Sequence, residues 1–161
     1  VRSKFDIPIA LKGIGAGEDA EIAVKHGVEW VYVSNHGGRQ LDHGRGSFDV
    51  LAEVADAVKG RTKIIVDGGF YRGTDIVKAI AYGADLVGLG RMQCYGLGAA
   101  GQFGVTRMLE LLEDEVQRCL GLLGVPNLRD VNRSHLVPAQ PVTQPHVFSA
   151  FPLLDIAPFR Y

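Results

Sequence analysis

Cysteine is scarce in this chain: Cys94 and Cys119 are the only two among 161 residues. They lie far apart and match no metal-ligand spacing. A zinc module and a disulfide scaffold are therefore not expected, and reduced thiols of a cytoplasmic protein are. A basic excess is also missing. Lys and Arg number 17 against 18 Asp and Glu, a formal net charge of −1, without the electrostatic footprint of a nucleic-acid binder. No apolar run reaches the roughly 20 residues that span a bilayer, and the first residues do not read as a signal peptide. Proline is rare outside one region, with six of seven between Pro126 and Pro158. Glycine is abundant, at 21 residues, in a chain that is 47% hydrophobic and 22% charged. That profile and length describe one globular domain, and the placement of the glycines carries most of the information.

Strand-like and helix-like runs alternate. "IPIALKG" (7–13) is a short apolar run containing Lys12, and "EDAEIAVKHG" (18–27) follows with Ala20, Ala23 and Val24 at helical spacing. "WVYVSN" (30–35) reads as a second strand, and "FDVLAEVADAVKG" (48–60) as a second helix with Gly60 placed to stop it. "KIIVDGG" (63–69) is a third strand, followed by a helix over 74–82 that Gly83 ends. "LVGLG" (86–90) is a fourth strand, and a longer helix spans 102–123 with Leu109, Leu112, Val116 and Leu120 on one face. Continuous apolar runs suit parallel strands covered on both sides. Four strand–helix repeats predict βα units with right-handed crossovers. A faint internal echo agrees: 18–33 laid on 74–89 matches at Asp19/Asp75, Ala23/Ala79, Gly27/Gly83 and Val31/Val87.

Both an open doubly wound sheet and part of an eight-stranded barrel accept four such units. Lys12, Ser34 with His36, Asp67, and Gly90 with Arg91 each sit just after or at the end of a strand, so all would lie on one rim. Active sites of (β/α)₈ barrels occupy that rim, and a whole barrel needs about 250 residues. The expected fold is thus α/β, half of a (β/α)₈ TIM barrel over residues 1–125. A proline-rich extended tail, 126–161, follows. Phe148, Phe151, Leu153, Leu154, Ile156, Phe159 and Tyr161 make that tail too apolar for ordinary disorder, and it is expected to pack on its own domain or on a neighbouring subunit.

Three stretches carry candidate chemistry. "VDGGFYRGTD" sets Gly68, Gly69 and Gly73 between a strand and a helix, where backbone N–H groups favour an anion. "GLGRM" repeats the device after the next strand, with Arg91 adding charge. Tight βα turns alone would also call for glycine. Two such loops on successive strands favour phosphate, because the last two loops of barrels often form a phosphate site. In "VSNHGGRQLD", His36 is a candidate general base and Arg39 a planar fork for a carboxylate. Three residues apart, they could hold one small acid between them.

Taken in order and spacing, "ALKGI", "VSNHGGRQLD", "VDGGFYRGTDIVKAIAYGAD" and "VGLGR" resemble the FMN-dependent 2-hydroxy acid oxidase/dehydrogenase family, which includes glycolate oxidase, lactate oxidase and mandelate dehydrogenase. The motifs cover about residues 5 to 125. The resemblance implies oxidation of an L-2-hydroxy acid to a 2-keto acid with FMN as cofactor and no metal. His36 matches the catalytic base and Arg39 the substrate-carboxylate arginine. Lys12 resembles the lysine that stabilises the reduced flavin, and Ser34 a flavin contact. Asp67, Gly68 and Gly69 resemble ribityl and phosphate contacts, with Gly90 and Arg91 as the other half of the phosphate grip. Many family members carry two arginines where this chain has Tyr71 and Arg72, so one phosphate cation is replaced by a phenol. The implied partners are a small 2-hydroxy acid, an N-terminal half that completes the barrel, and further copies in a homo-oligomer. Two alternatives remain: another FMN or phosphate-binding barrel resembling type 2 isopentenyl-diphosphate isomerase, and a non-catalytic half-barrel that completes a partner chain.

Overall fold

A computed structural model describes residues 1–41 and 43–139. Four strands form one parallel sheet in the order β1-β2-β3-β4: β1 (Ala10–Ile14), β2 (Trp30–Val33), β3 (Lys63–Val66) and β4 (Leu86–Val87). Helices α1 (Gly17–Lys25), α2 (Ser47–Val58) and α3 (Gly73–Ala81) connect them, and α4 (Arg91–Leu123) follows β4. Strand order equal to chain order is what repeated crossovers of one hand produce in a barrel wall.

The register shows which face of the sheet is covered. Val31 pairs with Ile64 and Val33 with Val66, and all four are buried beneath α2 together with Val50, Leu51, Val54 and Val58. Alternate residues Trp30, Tyr32 and Ile65 project to the opposite face and stay half-buried. In a strand successive side chains point to opposite faces. The helices thus cover one face, and the other corresponds to the interior of a barrel wall. Among the described residues, β1 and β4 each pair on one side only. Leu11, the register partner of buried Val31, therefore remains 43% exposed, and Leu86 on β4 is 51% exposed.

Local chemistry fixes the elements. Asp49 and Asp75 accept the backbone N–H groups of Gly46 and Arg72 at 3.1 Å and 3.1 Å, satisfying donors that open α2 and α3. Glu53 of α2 accepts the Gly17 N–H at 2.8 Å and pairs with Arg45 at 2.9 Å, which locks the start of α1 to α2. These two contacts, the backbone N–H first, hold the Glu53 carboxyl below its usual range.

Three expectations shift. Helix α2 ends at Val58, and Lys59 rather than Gly60 takes the first left-handed position, at φ 50°. Strand β4 is only two residues long, and after a last bond from the Gly88 N–H to the Val66 carbonyl at 2.8 Å the chain turns into loop. The final helix begins at Arg91, well before residue 102, and breaks at Ala100 and Gly101 into two arms. Their crossing requires Gly96 and Gly104: a Cβ on Gly96 would lie 2.8 Å from the Gly104 carbonyl oxygen. After α4, short 3₁₀ turns at Leu128–Asp130 and Arg133–His135 run back over the helices. Val131 is buried against Val77 and Ala81, and Arg133 pairs with Asp56 of α2 at 2.8 Å. The tail expectation for residues 140–161 lies outside the described residues.

Candidate active site

The residues that end the strands meet on one rim. Lys12 of β1 donates to Ser34 Oγ at 2.9 Å and pairs with Asp67 Oδ2 at 3.1 Å, reaching across β2 to the end of β3. Ser34 Oγ in turn accepts the His36 backbone N–H at 3.1 Å. One buried hydroxyl therefore sets both the lysine and the histidine turn.

His36 opens a 3₁₀ turn, His36–Gly38, in a left-handed conformation at φ 55°. A non-glycine residue there is uncommon and persists only where its surroundings impose it. Here they do. Ser47, at the start of α2, accepts the Asn35 N–H at 3.0 Å, and Asn35 Nδ2 donates to the Arg45 carbonyl at 3.1 Å. The His36 ring lies with Nδ1 3.5 Å from Gln40 Nε2.

Two cavities meet at His36. One, of about 710 Å³, is lined by Lys12, Gly13, Gly15, Ser34, Asn35 and His36, with Gln40 and Leu41 at its edge. The other, of about 330 Å³, is lined by His36, Arg39, Asp67, Gly68, Gly69 and Gly90, and by Arg91 at the start of α4. Residues far apart in sequence thus converge because each follows a strand of one parallel sheet. Tyr71 and Arg72 do not line either cavity. Tyr71 stacks on Tyr95 with ring centroids 6.2 Å apart. Arg72 turns to α4, where its guanidinium pairs with Glu115 at 2.9 Å.

Two residues of the rim are not legible from motifs. Tyr32 lies with Lys12 Nζ 4.7 Å over its ring. Burial first, and then the neighbouring Asp67 carboxylate, push its phenol above the ordinary range. Ser47 is buried and would touch any side chain at Gly68, 3.1 Å from a Cβ placed there. The period-two rule, which puts residue 32 on the same face as Ser34, is the only sequence signal for the first.

The site suits a polyol phosphate. Asp67 Oδ1 is buried and has no hydrogen-bond donor among the described residues, an acceptor left for a hydroxyl. Gly68 and Gly69 take φ 112° and φ 85°, a backbone conformation that disfavours side chains. At Gly90 a Cβ would meet nothing within 4 Å, and at Gly69 only Arg91 Nη2 at 3.7 Å. Bare backbone, the first turn of α4 and one guanidinium together make a cradle for an anion.

A parallel βα wall whose strand-end loops place His36, Arg39 and Arg91 around one glycine-lined rim cavity is the architecture of a (β/α)₈ barrel wall. The sequence matches the family FMN-dependent dehydrogenase over residues 1–138, and the chain belongs to that family. It is 45% identical over 136 residues to the peroxisomal (S)-2-hydroxyacid oxidase GLO3 of Arabidopsis thaliana, covering 84% of this chain and 38% of that protein. It is 47% identical over 132 residues to L-lactate oxidase of Lentilactobacillus hilgardii, covering 82% of this chain and 36% of that protein. Among solved structures it resembles mandelate oxidase with (S)-2-phenylpropionate, with TM-score 0.79 and 45% identity, covering 82% of this chain and 40% of that one. The chain thus spans a little over a third of the length of the curated relatives. The match runs past residue 125 to residue 138, through the docked 3₁₀ turns. Among the described residues, no helix is long and apolar enough to cross a membrane, and no cluster of His, Cys, Asp and Glu could hold a metal ion.

Proposed function

We propose that this chain is the C-terminal half of an FMN-dependent enzyme that oxidises an L-2-hydroxy acid to the 2-keto acid. The observation that carries this reading is the position of His36, which lines both rim cavities, between Lys12 and Ser34 on one side and Arg39 with the glycine cradle on the other. FMN, when bound, supplies a two-electron acceptor. Asp67, Gly68, Gly69, Gly90 and Arg91 hold its ribityl phosphate tail, and Lys12 with Ser34 holds the ring edge, where the ammonium favours negative charge. Arg39 grips the substrate carboxylate with its planar fork. His36 accepts the substrate proton as the general base. The N-terminal half of the barrel supplies the remaining walls, and the assembled enzyme is read as a cytoplasmic homo-oligomer. The cytoplasmic part is supported by the unpaired cysteines.

The test is anaerobic reduction in the full-length enzyme. His36→Ala should keep the flavin spectrum and slow its bleaching by a 2-hydroxy acid by roughly 10²–10⁴-fold, the usual contribution of a general base. Near-normal bleaching by that variant would remove His36 from the mechanism. Flavin bands indifferent to every 2-hydroxy acid would favour a different FMN barrel.

A further inference from the structure

The loops after β3 and β4 bring two arginines to the phosphate end of the cradle, yet only one is available. Arg72 Nε donates to Glu115 Oε2 at 3.2 Å and its Nη2 pairs with Oε1 at 2.9 Å. The same carboxylate accepts the Gly73 N–H at 2.7 Å. That group clamps α3 to α4 and takes Arg72 out of the site. Arg91 has no ion pair among the described residues. Its guanidinium carbon lies 6.0 Å from the centroid of the Tyr71 ring, at the outer reach of a cation–π contact. Its Nη2 comes to the bare side of Gly69.

Tyr71 itself adds no charge. Burial first, then the contact with Tyr95, hold its phenol above the ordinary range, so it is neutral at physiological pH. Behind it, Tyr71, Tyr95, Met92, Leu111 and Leu112 line a mostly apolar recess of about 580 Å³, with the paired Arg72 and Glu115 in its wall. A phosphate there would lose hydration and meet an arginine whose charge Glu115 already neutralises. The anion is therefore confined to the glycine side, against Arg91 and backbone N–H groups.

Resting on the FMN reading, we propose that the phosphate end is a one-cation subsite, with Arg91 as its anchor and the Tyr71–Tyr95 stack as an uncharged wall. The side chains consequently contribute one charged anchor, worth about ten- to a hundredfold of the preference for FMN over riboflavin, beside the backbone N–H contacts, and that share must fade as salt screens it.

The experiment measures dissociation constants for FMN and riboflavin with the full-length apoenzyme, by flavin fluorescence at several salt concentrations. FMN should bind tighter than riboflavin, less so at high salt, and Arg91→Gln should reduce that margin by about ten- to a hundredfold. Tyr71→Arg should raise the FMN preference by about tenfold or more without changing riboflavin affinity. Tyr71→Lys, a second way to add the charge, should raise it less. A margin that Arg91→Gln reduces by less than about tenfold would overturn the one-cation subsite, as would a preference that neither Tyr71 substitution raises. Binding of neither flavin would instead overturn the FMN reading on which it rests.

Discussion

The ammonium of Lys12 on β1 stands 3.1 Å from Asp67 Oδ2 beyond β3, bridging the strand between them. Asp67 faces two ways: one oxygen neutralises Lys12, and the other is buried with no hydrogen-bond donor among the described residues. Asp67→Asn should therefore fail twice. Lys12 loses its counter-charge, and an amide N–H₂ replaces one acceptor of the rim. The expected result in the full-length enzyme is a loss of about 1–3 kcal/mol in denaturant unfolding. FMN affinity should fall about tenfold, read by fluorescence titration. Unchanged values for both would show that the bridge is incidental.

Arg39→Lys should chiefly weaken substrate binding. Arg39 lines the same cavity as Asp67 and Gly68, where a planar fork can take both oxygens of a carboxylate. Lysine keeps the charge and loses the fork. Binding of a non-reacting carboxylate should weaken about ten- to a hundredfold, measured by the spectral change of bound flavin. An unchanged dissociation constant would place the carboxylate elsewhere.

These residues differ in how far the sequence reveals them. Strands β2 and β3 are legible because Val31, Val33, Ile64 and Val66 sit in apolar runs bounded by turn residues. The meeting of His36, Arg39, Asp67 and Gly90 follows from placing each after a parallel strand. The first arm of α4 is not legible. "YGLGAAG" reads as loop on propensity, whereas Gly96 and Gly104 serve the close crossing of two helical arms. Tyr32 reads as an ordinary strand aromatic, and only the register Lys12↔Tyr32 puts it under the lysine. Arg72 reads as a phosphate cation until Glu115, distant in sequence, is seen to hold it. Non-local pairing is what a linear pattern does not contain.

Acid should release the segment that precedes β1. Arg2 and the Ile9 backbone N–H, in that order, hold the Glu29 carboxyl at about 2, against an ordinary 4.5. The contacts are Arg2 Nη2 at 2.6 Å and Ile9 N at 2.7 Å, both to Oε2. A folded-state value below the unfolded one means that the unfolded chain takes up the proton first as pH falls. The stabilisation is thus complete above about pH 4.5 and lost as the pH drops toward 2. Unfolding midpoints of the full-length protein and of Glu29→Gln should differ near neutral pH and converge through that window. A difference that persists at the acid end would assign the effect to packing rather than charge.

Residues 1–161 expressed alone should not behave as an active monomer. Among the described residues the sheet pairs only on the inner sides of β1 and β4, which leaves two strand edges whose backbone groups can pair with other chains. The face bearing Trp30, Tyr32 and Ile65 is also left without covering helices, and eight strands close a barrel of this kind. The rim cavities are open on that side, so cofactor held here would have walls on one flank only. Size-exclusion chromatography with absorbance near 450 nm (about where oxidised flavins absorb) gives the readout. The isolated chain should elute as self-associated, flavin-free material. Co-expression with an N-terminal half from the same family should restore the flavin signal in a discrete peak. A monodisperse monomer of this chain that retains FMN and oxidises a 2-hydroxy acid would show that four strands suffice, and that the half-barrel assignment is wrong.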